Sequence, residues 1–314
     1  MVSLWAAVTD LDWFDMLAAE PGVDEVNFWQ PSGRNAFHAI RPGELFLFKL
    51  KAPRNVIGGF GVFQQASNLP VSYAWEAFGR KNGVRSLPEM RTRIARYRHE
   101  TGPGDFTIGC RVVVEPVFLP ERLWIPVPPS WAGNTVVGKT FNTDEADGRR
   151  LWDQVQDAAS QMRANLLDVR ERQTLFEHEG QPRTGAPQLI LPRLGQGAFR
   201  LAVTDAYGRE CGLTNGRVLP ALDAAHIKSW SEGGAHAVSN GILLRRDIHR
   251  VFDAGYATFD EDLRFVVSDR VRTEFNNGEE YRRLHGMRLK APGDVQLAPE
   301  RAALEWHREN VFLG

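Results

Sequence analysis

Residues 211–255 read CGLTNGRVLPALDAAHIKSWSEGGAHAVSNGILLRRDIHRVFDAG. A short apolar run ends in His226. A glycine-rich loop follows, then Asn240, then an apolar strand and a helical turn carrying His249. Fourteen positions separate His226 from Asn240, and nine separate Asn240 from His249. A histidine near its ordinary pKa of about 6.5 can take a proton from water at neutral pH. A divalent cation held by nearby donors can stabilise a leaving oxygen. One strand-end histidine, one loop asparagine and one helical histidine supply the parts that phosphodiester hydrolysis needs.

The segments AAHI, SNG and LLRRDIHRVFDAG resemble the HNH nucleases of the ββα-metal superfamily, in particular the bacterial restriction-type endonucleases. The resemblance spans roughly residues 198–290. It implies that His226 is the general base, that Asn240 orients the strand carrying the base, and that His249 binds the metal, Mg²⁺ or Mn²⁺. One departure concerns the position before the base, where relatives carry a second metal ligand and this chain has Ala225. Asp223 is the nearest replacement, while Asp247 and Asp253 flank His249. A second departure is CGLT at 211–214: with Thr214 where a second cysteine would stand, no structural zinc is expected. Arg245 is placed one turn before His249 on the same helix face, where it would hold the scissile phosphate. Arg246 and Arg250 either do the same or remain solvated. His285 and His307 are read as structural histidines.

The chain has 314 residues, 43% hydrophobic and 25% charged, as two soluble globular domains would. Its net charge of −1 hides a distribution: +2 over 1–142, −4 over 143–180 and +1 over 181–314. DNA contact must then come from local basic patches. The two cysteines, Cys110 and Cys211, exclude a disulfide framework and fit a reducing cytosol. The N-terminus lacks a basic leader, and no apolar run approaches the about 20 residues of a membrane span. A cytoplasmic protein is expected.

Residues 1 to about 20 have helical spacing at Leu11, Phe14, Leu17 and Ala18. From Val26 the chain turns to short strands. ELFLFKLK (44–51) alternates as a strand with one buried face, and Gly58, Gly59 and Gly61 predict a bulge or close backbone approach. Ser86 and Glu89 form a capping box before a helix with Met90, Ile94 and Tyr97 on its apolar face. From Arg80 to Arg98 seven basic residues face one acid, Glu89. This window is either a solvated helix face or a phosphate contact through residues such as Arg91 and Arg98. NFWQPSG, PGELFLFKLK and NVIGGFGVF resemble the PUA-like group (EVE, ASCH and SRA types), β barrels of which several bind modified or flipped bases. That resemblance transfers no individual residue. Asn27, Trp29 and Trp75 are the candidates for a modified-base pocket.

Residues 144–180 form one long helical pattern with a Leu151, Val155, Met162, Leu166 and Val169 stripe, and QPRTGAPQ (181–188) forms a turn-rich joint. The sequence thus predicts an α+β chain: a PUA-like β-barrel recognition domain over 1–143, a helical linker over 144–187 and a ββα-metal HNH nuclease domain over 188–314. The expected partner is double-stranded DNA, in modified form for the leading reading. A homodimer is expected, because one active site per chain cuts one strand. Two other readings share these residues: a nicking or mobile-element HNH nuclease acting on unmodified DNA, and an inactive nucleic-acid-binding regulator, motivated by Ala225.

Overall fold

The structure is a computed structural model and describes residues 2–34, 36–98, 104–171, 195–229, 232–275 and 277–314. The chain forms two compact units, Met1–Arg193 and Leu194–Gly314. Both mix helix and strand, and the first is sheet-rich. No described helix is long and apolar enough to cross a membrane.

In the first unit the elements run β1 (Ser3–Thr9), α1 (Leu11–Ala18), β2 (Glu25–Gln30), β3 (Leu45–Leu50), β4 (Val56–Pro70), α2 (Val71–Phe78), α3 (Leu87–Arg98), β5 (Thr107–Phe118), β6 (Ile125–Pro126), β7 (Gly138–Asn142) and α4 (Ala146–Glu171). The sheet order is β2-β5-β4-β3-β1-β7, with β6 added against β4. Only the β1–β3 pair among these is parallel, with Leu4 opposite Leu45 and Thr9 opposite Leu50.

The opening stretch is therefore not one helix. SLWAAVT is an interior strand between β3 and β7, and only the residues after Asp10 form α1. Ladder pairing on both edges claims residues 3–9, while Leu11, Phe14, Leu17 and Ala18, which carry the helical spacing, lie in α1. The β3 strand also differs from expectation, because both of its faces are buried. Phe46, Phe48 and Leu50 pack with Trp13, Phe14 and Leu17 of α1. Leu47 packs instead with Leu151, Val155 and Ala158 of α4. The helix expected to act as a connector thus fills one side of this unit's core over its described side chains. Leu166, Val169 and the 181–188 joint lie outside them.

The barrel expected for this unit is not closed. Among the described residues β2 and β7 are open edges with no ladder between them. The turn Gly79–Asn82 docks on β2, where the Trp29 indole donates to the Asn82 carbonyl (2.9 Å). The glycines of β4 do allow close approach. A Cβ at Gly59 would lie 2.4 Å from the Val117 carbonyl oxygen, and the β4–β5 register shifts at Phe60/Val62.

The second unit contains α5 (Gln196–Ala206), β8 (Leu222–His226), β9 (Gly241–Arg245), α6 (Arg246–Asp253), β10 (Ala257–Phe259), β11 (Phe265–Val267), α7 (Arg270–Phe275), α8 (Glu279–Arg282) and α9 (Arg301–Asn310). Antiparallel β8 and β9 pair Ala225 with Ile242 and His226 with Gly241. Their apolar faces share a core with Phe199, Val203, Ile248, Phe252, Phe259 and Phe265. β10 and β11 make a hairpin, whose turn is held by Asp260 Oδ1 accepting from the Asp262 and Arg264 amides (2.9 and 2.8 Å).

Candidate active site

The β8–loop–β9–α6 run builds the site locally. Because α6 begins one residue after β9 ends, its first turn brings His249 back across the start of β8. His249 Nδ1 lies 3.1 Å from Asp223 Oδ2, and its Nε2 lies 3.0 Å from Asp253 Oδ2. Asp253 stands one turn further along α6, where the i,i+4 spacing puts it on the same face. Arg200 of α5 approaches the other oxygen of Asp223 (Nε to Oδ1, 3.7 Å). Burial pulls the His249 pKa down, but hydrogen bonds to Asp223 and Asp253 and their charges outweigh it and hold the imidazole at about 9. Burial pushes the Asp223 carboxyl up, and the bond from His249 with the charge of Arg200 brings it below its ordinary value.

His226 closes β8. Its ring stacks on Phe199 (centroids 3.8 Å apart, planes at 13°), and its Nε2 lies 3.4 Å from His236 Nδ1. Burial foremost, then the positive charges of His236 and His249, lower its pKa to about 4, so the ring is neutral at pH 7. Asp223 and Asp253 also act on its charge, so His226 and the His249 group belong to one electrostatic site.

Asn240 does not reach out to solvent. It is 3% exposed and bridges the loop. Its Oδ1 accepts from the Lys228 amide (3.0 Å), and its Nδ2 donates to the Lys228 and Ala235 carbonyls (2.9 and 2.8 Å). Its own carbonyl accepts from the Ile227 amide (2.9 Å). Gly234 closes against the same place, since a Cβ there would lie 1.9 Å from the Lys228 oxygen. The loop between β8 and β9 is thereby cinched onto the end of the strand that carries His226. Asn240→Ala strands buried donors and acceptors on this loop. It is expected to cost about 2–4 kcal/mol in urea unfolding of the full chain.

The arginines fall in different places. Arg245 is the last residue of β9 rather than a helix residue, and its guanidinium is held by Asp247 in a two-point ion pair. Arg246 and Arg250 are exposed on α6. In the first unit Arg98 donates to the Pro31 carbonyl (3.0 Å) and lies over the Phe106 ring. Arg91 lies 3.9 Å from Asp105. Elsewhere in that basic window Arg80 pairs with Glu20, Lys81 with Asp24 and Glu25, and Arg93 with Glu89. Acids distant in sequence neutralise much of it.

Ala225 is fully buried among the apolar side chains of β8 and β9, so a carboxylate at that position would face the core. Asp223 is the acid that meets His249. His236 was not anticipated from the sequence. It reaches His226 only through the folded loop, and its spacing to either motif histidine matches no simple pattern. His285 Nδ1 accepts from the Val267 amide (3.1 Å), while His307 stacks on Phe252 and bonds Thr258 Oγ1 (3.0 Å). Thr214 donates its amide to Cys211 Sγ (3.4 Å) in a tight turn.

Among the described residues no three His, Cys, Asp or Glu donors converge as a preformed metal cage. Asp223, His249 and Asp253 nonetheless offer two carboxylates and one imidazole in contact. Two negative charges raise the proton affinity of the ring between them. Because the two acids face opposite ring nitrogens, a divalent cation replacing the proton at Nδ1 would meet Asp223, and one replacing the proton at Nε2 would meet Asp253.

Residues 210–260 match the sequence model of an HNH endonuclease family. This segment is an HNH endonuclease domain. The chain that carries the HNH domain is accordingly a nuclease. No curated protein matches it. Among solved structures, the modification-dependent TagI restriction endonuclease aligns with 97% of this chain and 81% of its own, at 12% identity and a TM-score of 0.31. The ASCH protein of Zymomonas mobilis aligns with 47% of this chain and 94% of its own, at 9% identity and a TM-score of 0.31. Scores of this size fall short of a shared fold.

Proposed function

We propose that the protein is a cytoplasmic restriction-type endonuclease that cuts modified DNA with its HNH domain, under the control of its N-terminal unit. What carries the reading is neutral His226 beside the Asp223–His249–Asp253 group, within the segment that matches HNH endonucleases. In this scheme His226 takes the proton of the attacking water. His236, at its Nε2, fixes the orientation of the ring, and Phe199 restrains the ring face. Asn240 holds the strand end that carries the base. Asp223 and His249 would hold Mg²⁺ or Mn²⁺. When bound, such an ion supplies Lewis-acid stabilisation of the leaving 3′-oxygen. Arg246 and Arg250 on the exposed side of α6 contact DNA phosphates, with Arg245 acting if Asp247 releases it.

For recognition we assign residues 1–143 to a PUA-like module, 144–187 to the helical segment after it and 188–314 to the nuclease. A cavity of about 390 Å³ in the first unit supports base reading. Trp13, Phe28, Trp29 and Tyr97 line it, and Asp10 lies among them with Lys51. Lys51 pairs with Asp10, and the Tyr97 hydroxyl donates to Asp10 (2.8 Å). Aromatic walls with one polar cluster suit an extruded base, held by stacking and by hydrogen bonds to its edge. Trp29 therefore remains a base-contact candidate. Asn27 is fully buried and bonded to Asn82, and neither it nor Trp75 lines this cavity. A homodimer would place two HNH sites on a duplex.

Matched duplexes carrying plain, methylated or hydroxymethylated cytosine, incubated with protein and Mg²⁺, test this reading. Preferential double-strand cleavage of a modified substrate is expected. Equal cleavage of all three would sink modification dependence, and binding without any cleavage would favour a regulator.

A further inference from the structure

Arg111 lies on β5 and is 6% exposed. Its Nη2 donates to Gln30 Oε1 (2.6 Å), and its guanidinium lies 4.3 Å from the centre of the Phe37 ring. Its Nε and Nη1 have no acceptor among the described residues, and no carboxylate acts on its charge. Burial alone pulls its pKa down, to about 10, which leaves it a cation at neutral pH. Half-buried Lys81 pairs with Asp24 and with the fully buried Glu25, whereas buried Lys49 donates to the neutral Asn55 Oδ1 (2.6 Å). A buried charge without a counter-charge is costly unless a ligand supplies one. Arg111, unlike Lys49, lines a cavity of about 120 Å³ whose lining includes His38, Ser67 and Asn68, and no acid.

We propose that Arg111 and this cavity form an oxyanion site that takes a phosphate group. Nη1 and the second N–H of Nη2 present parallel donors matched to two oxygens of one phosphate, and Ser67, Asn68 and His38 offer polar partners for the others. The absence of acids from the lining favours an anion over a cation or a neutral amide. Gln30, which accepts from Arg111, also lines the aromatic cavity of the same unit. The phosphate arrives either free, as on a mononucleotide, or within a DNA chain. The site does not depend on the nuclease reading.

Thermal unfolding of the full chain tests it at constant ionic strength, with inorganic phosphate or a short duplex compared against sodium chloride. Phosphate is expected to raise the wild-type Tm by about 3 °C or more near saturation and to leave Arg111→Met unmoved. A response to the duplex alone, abolished by Arg111→Met, assigns the group to the DNA chain and upholds the site. Calorimetric titration of phosphate into wild type and Arg111→Lys serves if the methionine variant does not fold. The lysine keeps the charge but loses the fork, and should weaken binding at least about tenfold. No response of the wild type to either phosphate or the duplex, or equal responses in wild type and variant, overturns the proposal.

Discussion

Replacing His226 with alanine lowers the single-turnover rate of DNA cleavage by about 10²- to 10⁴-fold and leaves DNA affinity nearly unchanged. The ring is the group placed to accept a proton: it is neutral at pH 7, held flat against Phe199, and met at Nε2 by His236. Truncation removes that acceptor and leaves the loop clamp of Asn240 intact, because the clamp runs through Lys228 and Ala235 rather than through the His226 side chain. The expected signature is therefore a kcat effect without a matching loss of binding, read by labelled-duplex cleavage beside fluorescence anisotropy. A wild-type rate in this variant would remove His226 from the reaction.

The nuclease segment was readable because its parts are local. Strand, loop, strand and helix follow within 45 residues, so the order of His226, Asn240 and His249 in sequence is also their order in the site. Whatever depended on distant pairing was not readable. The helical spacing of Leu11, Phe14, Leu17 and Ala18 suggests a helix reaching back to residue 1, yet β3, some forty residues on, recruits SLWAAVT as a strand. The alternation in LFLFKL showed a strand but could not reveal that α4 would cover its second face. Arg80 and Lys81 belong to a window that reads either as a solvated face or as a phosphate contact, and the Glu20, Asp24 and Glu25 that pair with them stand far away in the sequence. Arg245 was misplaced for a smaller reason, a boundary one residue later than the apolar pattern implied. His236 escaped because its contact with His226 exists only once Asn240 has closed the loop.

Asp223→Asn is expected to lower cleavage by more than about 100-fold at limiting Mg²⁺, because it removes a carboxylate from the only acid–imidazole–acid contact in the HNH domain among the described residues. The same substitution has a readout in protein freed of metal by chelation. His249 carries a pKa of about 9 when folded, through Asp223 and Asp253, against about 6.5 unfolded. A raised folded pKa contributes stability that is fully present below pH 6.5 and is lost as pH climbs through 9, about 3 kcal/mol for a shift of this size. His226 works in the opposite direction. Its folded pKa of about 4 contributes stability above pH 6.5 that is lost as pH falls toward 4. Metal-free wild type should thus lose stability from pH 6.5 to 9 in urea titrations. With asparagine at 223 the carboxylate partner is gone, the folded pKa of His249 drops toward its ordinary value, and the alkaline loss shrinks while the acid limb from His226 persists. An alkaline limb identical in both proteins would show that Asp223 does not hold the His249 charge, and the case for it as the metal's second protein ligand would go with it.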